Sequence, residues 1–203
     1  MINSRLTPFG TTIFTSISRR AARHRAINLG QGFPDEDPPK ALIEAVVEGL
    51  RSGRNQYAPM PGTAGLRLAV SEDRIARGGV DWDPDLEVTI TSGATEGLAA
   101  AMLGSLETDD EVILFDPAYD AYPALVAMAG ARSRRVAPVS PEFRITRELI
   151  ESVVTARTRM LVINTPWNPT GRVLEDDELE AIAAACRAHD LVCVSDEVYE
   201  RLV

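Results

Sequence analysis

One lysine, two cysteines and two histidines are all that the 203 residues contain of those types. Cys186 and Cys193 are separated by six residues, with no second pair and no histidine at ligand spacing. They make neither a disulfide framework nor a zinc site, and read as reduced core thiols. Positive charge is also short, since 21 Lys and Arg face 30 Asp and Glu for a net charge of −9. A nucleic-acid partner, which needs a basic face, is excluded. The one basic cluster, Arg19–Arg25, is interleaved with Ala21 and Ala22 and reads as the solvated face of an amphipathic helix. Long apolar runs are missing too. Val112–Phe115 and Met160–Ile163 are only strand length, so no membrane span is expected. The stretch Met1–Gly10 has no apolar core followed by a small-residue cleavage site, and the expected location is cytoplasmic. Neither a dinucleotide-type glycine pattern nor a Walker loop is present.

What is present is a globular composition, 45% hydrophobic and 25% charged, with short β-branched runs alternating with helical stretches from Glu87 onward. Strands are expected at Glu87–Thr91, Glu111–Asp116, Ser133–Ala137, Arg159–Asn164 and Leu191–Ser195. Helices are expected from Ser92-Gly93-Ala94 through Leu106, and over Tyr119–Ala129, Thr146–Thr155 and Glu175–His189. Such alternation predicts an α/β fold, a mostly parallel sheet with helices on both faces. The first eighty residues differ. Loop signals there (Gly30-Gln31-Gly32, Pro38-Pro39, Pro59-Met60-Pro61-Gly62) surround two helices, Lys40–Ser52 and Ala64–Arg77. That segment wraps or decorates a domain. Val203 follows directly on an apolar strand, so the sheet is expected to be incomplete, with wet apolar faces and poor solubility for the 203 residues alone.

Four segments at strand ends could carry chemistry. Thr91-Ser92-Gly93-Ala94-Thr95-Glu96 is a small-residue turn into a helix, either an anion site at the helix N-terminus or an ordinary cap. Asn164-Thr165-Pro166-Trp167-Asn168-Pro169-Thr170-Gly171 lies at a carboxyl edge, where α/β proteins bind ligands, though a structural turn reads equally well. Asp196, with Tyr199 three residues on, is either a helix cap or a carboxylate holding the protonated ring nitrogen of a cofactor. Tyr119, in Asp116-Pro117-Ala118-Tyr119, either stacks on a flat ring or packs in the core. Trp167 and Tyr122 line a pocket or pack conventionally. All four segments face one edge of the sheet.

Together with Asn28-Leu29-Gly30-Gln31-Gly32-Phe33-Pro34 and Asn55-Gln56-Tyr57, these segments resemble the class I pyridoxal-phosphate aminotransferases of fold type I. The resemblance is to the branch with kynurenine, methionine and N-succinyldiaminopimelate aminotransferases, and covers its N-terminal half. It implies 1–40 as an N-terminal arm and substrate-side loop, and 41–203 as the first part of the large cofactor-binding domain. It further implies that Ala94 and Thr95 hold the phosphate of pyridoxal 5'-phosphate through their amides and that Tyr119 stacks on the pyridine ring. Asn168 and Tyr199 would bond the phenolic oxygen, Asp196 would pair with the ring nitrogen, and Asn164 would support them. Gly32, with Asn168, would lie by the substrate carboxylate, and Tyr57 would reach the phosphate of a neighbouring subunit in a homodimer. The implied activity moves an amino group between an amino acid and a 2-oxo acid with ping-pong kinetics.

The family's Schiff-base lysine and its carboxylate-clamping arginine have no counterpart in the chain. Lys40 begins an early helix after two prolines and reads as a surface residue. The 203 residues alone are therefore expected to be inactive. Two other readings share the same motifs, a non-catalytic remnant that binds the cofactor and a β-lyase of the same superfamily.

Overall fold

The computed structural model describes residues 3–32 and 36–202, so Phe33 and Pro34 of the early glycine motif lie outside the described residues. The chain falls into two compact units. One takes the residues up to Gly10 together with Ser92 onward, and the other is Thr11–Thr91.

The first unit is built on a four-stranded sheet: β1 (Glu111–Phe115), β2 (Arg132–Val136), β3 (Thr158–Asn164) and β4 (Val192–Asp196). The order is β2-β1-β3-β4 and every pairing is parallel. Successive strand residues face opposite sides of a sheet, and two cores result. Ile113, Phe115, Leu161 and Ile163 join one, with Ile150 of α6 (Arg147–Glu151) and Ile182, Ala185 and Cys186 of α7 (Asp176–His189). Val112, Leu114, Met160 and Val162 join the other, with Leu98 and Met102 of α4 (Gly93–Ser105) and Leu125 and Val126 of α5 (Ala121–Met128). A strand buried on both faces is apolar throughout, which is why β1 and β3 read as short unbroken runs. The predicted α/β sheet is the observed one, and its parallel pairing brings the carboxyl ends of all four strands to one edge.

Edge strand β2 is covered differently. Arg132 donates to Asp109 at 2.6 Å, and Arg135 forms a two-pronged bond with Asp116. Charged side chains on an edge strand oppose pairing with another chain.

The second unit contains α1 (Ile13–His24), α2 (Lys40–Arg51) and α3 (Ala64–Ala76). The basic cluster lies on α1 and its following C-cap, Arg25, as expected. Arg67 of α3 is buried, bonded to the Pro84 carbonyl and paired with Asp85 at 2.9 Å. Ser71 donates to the Trp82 carbonyl at 2.6 Å, and the Arg74 guanidinium lies 5.3 Å from the centre of the Trp82 ring.

Three expectations need correction. Glu87–Thr91 is not a strand. Val88 is buried between exposed Glu87 and Thr89, but the segment's backbone bond is Ile90 N–H to the Pro61 carbonyl, at 2.9 Å. Strand patterning gives a strand only where a neighbour completes the ladder, and none of the four described strands does so. The helix expected over Thr146–Thr155 stops at Glu151, because the Ser152 hydroxyl bonds the Leu149 carbonyl and β-branched Val153 and Val154 turn into the core. Finally, Cys186 is a core residue, whereas Cys193 is exposed on β4, which pairs with β3 alone among the described strands.

Candidate functional site

The site grows from the carboxyl ends of β3 and β4, which end in register on Asn164 and Asp196. Asn164 is buried, and both ends of its amide are used. Its Nδ2 donates to the Asp196 carbonyl at 2.8 Å and its Oδ1 accepts from the Asn168 N–H at 2.7 Å. The Thr165 N–H gives the Asp196 carbonyl a second bond at 3.1 Å. One asparagine thus fixes both the end of β4 and the start of the following loop.

That loop is a closed structure. Trp167 and Arg172 pair as an isolated antiparallel bridge, and the Gly171 N–H reaches the Trp167 carbonyl at 2.7 Å with Gly171 in the left-handed region at φ 72°. Only glycine adopts that backbone without strain. Leu174 N–H closes the loop on Thr165 Oγ1 at 3.1 Å. Trp167 was open between pocket and core; it is buried, edge-on to Phe115 and Phe143, and its Nε1 donates to the Pro117 carbonyl at 2.9 Å. That bond ties the loop after β3 to the loop after β1. Asn168 faces the other way, its Nδ2 lying 3.5 Å from Tyr199 Oη.

Asp196 ends β4 with one oxygen on each of two partners. Oδ1 accepts from the Val198 N–H at 3.2 Å and Oδ2 accepts from the Tyr122 hydroxyl at 2.6 Å. Tyr122 is buried in α5, and burial, reinforced by the bond to Asp196, pushes its hydroxyl well above the ordinary tyrosine value. The phenol therefore remains the donor in this bond. Tyr119 meets Tyr122 edge to face with ring centres 5.6 Å apart. Its own hydroxyl is raised, chiefly by burial and then by the charge of Asp120. A small cavity under the sheet edge is lined by Tyr122, Asn164 and Trp167 together with core side chains such as Phe115, Ile145 and Val162.

Below the loop lies a pair that the sequence reading did not single out. Glu178 is 1% exposed, and the Arg172 guanidinium grips both of its oxygens. Ile145 N–H adds a bond at 2.7 Å and Glu175 N–H one at 3.0 Å. Burial alone would raise this carboxyl, but the guanidinium and the two N–H donors more than offset it and hold it below the ordinary glutamate value. The capping box between Glu175 and Glu178 starts α7 at the same place.

Helix α4 begins at Gly93, with φ 76°, after Ser92. Ala94 and Thr95 occupy its exposed first turn, where backbone N–H groups have no intrahelical acceptor. The Glu96 carboxylate accepts the Ser92 N–H at that end. Of the predicted residues, Asn164, Asn168, Asp196 and Tyr199 are connected through hydrogen bonds, and Tyr119 joins them through Tyr122. Gly32 and Tyr57 belong to the second unit, where Tyr57 is fully exposed and nothing lies within 4 Å of a Cβ built on Gly32. Tyr122 is the residue that sequence reasoning undervalued; its place three residues after Tyr119 was the available signal.

Comparison with known proteins adds an independent finding. A family model described as aminotransferase class I and II matches residues 24–203. The probable N-succinyldiaminopimelate aminotransferase of Mycobacterium tuberculosis is 49% identical over all of the chain and 52% of its own length. The methionine aminotransferase of Escherichia coli is 41% identical over 98% of the chain and 52% of its own length. The solved structure of the M. tuberculosis N-succinyldiaminopimelate aminotransferase superposes with a TM-score of 0.94 at 48% identity, over 98% of the chain and 53% of that structure. The chain spans about half the length of the curated relatives it matches.

Proposed function

The chain belongs to the class I and II aminotransferases, and from that premise we propose that it forms the N-terminal half of a transaminase. Its sheet is that of the fold type I enzymes, incomplete at about half their length. The reaction moves an amino group between an amino acid and a 2-oxo acid in two half-reactions. The observation that carries the reading is the constellation at the sheet edge. Asp196, its oxygens fixed by Tyr122 and Val198, stands in one network with Asn164, Asn168 and Tyr199.

Those donor types fit pyridoxal phosphate. When bound, that group supplies an aldehyde to take up the amine and an electron-poor ring to stabilise charge at the α-carbon. Asp196 would hold the proton of the ring nitrogen, a role suited to a carboxylate that already accepts two hydrogen bonds. Asn168 and Tyr199 would bond the phenolic oxygen, and Tyr119 would cover one face of the ring. The N–H groups of Ala94 and Thr95 would hold the phosphate against the start of α4. Asn168 would also face the substrate carboxylate. The full exposure of Tyr57 leaves it available to a second copy, in keeping with a homodimer. Residues 1–40 would form the arm and 41–203 part of the large domain, working in the cytoplasm.

Lys40 is the only lysine, and it is exposed at the start of α2. The 203 residues taken alone should therefore bind the cofactor without turnover. The protein isolated from its own source, mixed with pyridoxal phosphate and an amino acid but no acceptor, should release the matching 2-oxo acid once per site. Turnover only to pyruvate and ammonia from substrates with a β-leaving group would replace this reading by the β-lyase. Cofactor binding with no product from any amino acid would leave the non-catalytic one.

A further inference from the structure

Asn168 is fixed less by its own side chain than by the backbone around it. Its Nδ2 reaches Tyr199 Oη only at 3.5 Å, whereas its N–H is held by Asn164 at 2.7 Å. On its other side the turn 168–171 is shut by the Trp167 N–H on the Arg172 carbonyl, at 2.7 Å. Whatever holds Arg172 therefore holds that side of Asn168. Arg172 is held by Glu178, whose two oxygens each accept two bonds. Oε1 accepts from Arg172 Nη1 at 2.9 Å and from the Ile145 N–H at 2.7 Å. Oε2 accepts from Arg172 Nη2 and from the Glu175 N–H, the latter at 3.0 Å. The two side chains are 18% and 1% exposed, and a longer chain could only bury them further.

We infer that Arg172 and Glu178 are a positioning pair that sets the Asn168 amide toward the cofactor's phenolic oxygen, an inference that rests on the reading of the site given above. Stability alone is a poor reason for such a pair. Taking two charges out of water offsets much of their attraction, and apolar residues of similar volume often hold a fold as well or better. What apolar residues lack is direction. A guanidinium met by both oxygens of a carboxylate is fixed in distance and in plane. This carboxylate is fixed in turn by backbone N–H groups ahead of α6 and at the start of α7. Ile145 belongs to the core on that face of the sheet, so the tie runs from the core to the turn that carries Asn168. A lysine in place of Arg172 would keep the charge but offer a point instead of a plane.

The test uses the protein as its own source makes it, its Arg172→Lys variant, and Asn168→Ala as the reference. Without cofactor, the Asn168 N–H of Arg172→Lys should exchange with solvent about tenfold faster or more, while the amides of β1 and β3 keep the parent rate. Faster exchange at Ile145 and Glu175 with Asn168 unchanged would overturn the proposal, since the pair would then serve only the start of α7. Equal acceleration everywhere would overturn it too, as a general loss of stability. With pyridoxal phosphate bound, the pH midpoint of its visible absorption should rise by about one unit in Arg172→Lys, because a donor to the phenolic oxygen favours its charged form. Asn168→Ala should raise the midpoint similarly, and Arg172→Lys should add nothing in the Asn168→Ala background. Additive shifts, or no shift in Arg172→Lys, would refute the positioning role. A parent protein that bound no pyridoxal phosphate would instead overturn the reading of the site, and the exchange rates would still decide whether the pair holds Asn168.

Discussion

The two units of this chain handle apolar surface in opposite ways. The sheet unit buries both faces of β1 and β3 in two separate cores, and its buried residues are almost all apolar. In the other unit the buried residues among those described are Arg67, Ser71 and Val88. Its helix α2 nonetheless carries Leu42, Ile43, Val46, Val47 and Leu50, a stripe with helical spacing, and all five are exposed. Patterning states which surface must be covered; it does not state what covers it. In the sheet unit the cover is local in the chain. For α2 it is not among the described residues.

The sharpest way to break this contrast is through the buried ions, one in each unit. Arg172→Met should cost about 3–5 kcal/mol, because it strands the Glu178 carboxylate at 1% exposure. Arg67→Met should cost much less, since Asp85, its partner, is 76% exposed and keeps its water. Urea unfolding of both variants measures the difference, and equal losses would refute the distinction. Acidity probes the same pair. The folded Glu178 carboxyl titrates below its ordinary value, so its contribution is complete above the unfolded value of about 4.3 and is lost as pH falls through the lower folded value. A pH series in which Glu178→Gln is no less acid-sensitive than the parent would contradict that sign.

Apolar truncation should follow the same division. Leu161→Ala removes a fully buried side chain from the sheet and should cost about 2–5 kcal/mol. Leu42→Ala, at a position 57% exposed, should stay within about 0.5 kcal/mol in the isolated chain. Thermal or urea melts of the pair suffice, and a large loss at Leu42 would reveal a covered α2.

Much of this division could be read from the sequence, for physical reasons that also mark where reading stopped. Strands β1 and β3 announce themselves because burial on two faces leaves no room for polar residues. Asn164 and Asp196 could be placed at strand ends because the strands were visible. Glu87–Thr91 misled, since alternation describes the chain's own side of a strand and says nothing of a neighbour. Glu178 was hidden inside Glu175-Asp176-Asp177-Glu178, which reads as a solvated helix start, although the last of the four is the most deeply buried carboxylate of the structure. Only the loop closed by Gly171 brings Arg172 to it. The bond between Tyr122 and Asp196 joins residues 74 apart in the chain, and the spacing from Tyr119 was the one mark that Tyr122 carried.

Tyr122→Phe tests that bond. It should cost about 1.5–3 kcal/mol, the range for hydrogen bonds to charged groups. It should also weaken binding of pyridoxal phosphate, because Asp196 Oδ2 would lose its anchor. Unfolding and cofactor titration read the two effects separately, and a loss of stability with unchanged binding would make Tyr122 purely structural.

The smallest expected change in stability comes from the exposed stripe itself. Val46→Glu places a charge at the centre of α2, where the side chain is 57% exposed. In the isolated chain the melt should shift by no more than about 0.5 kcal/mol, as for other exposed positions. Binding of an apolar dye should fall, because a contiguous apolar patch is what such dyes occupy. If the remaining length of the relatives supplies the cover for α2, the same substitution in the complete protein should be far more damaging, since it would bury an unpaired carboxylate. A ratio well above one would show that α2 is covered there. A ratio near one would mean that α2 is solvent-facing in the complete protein as well, and the apolar stripe would then need a different partner.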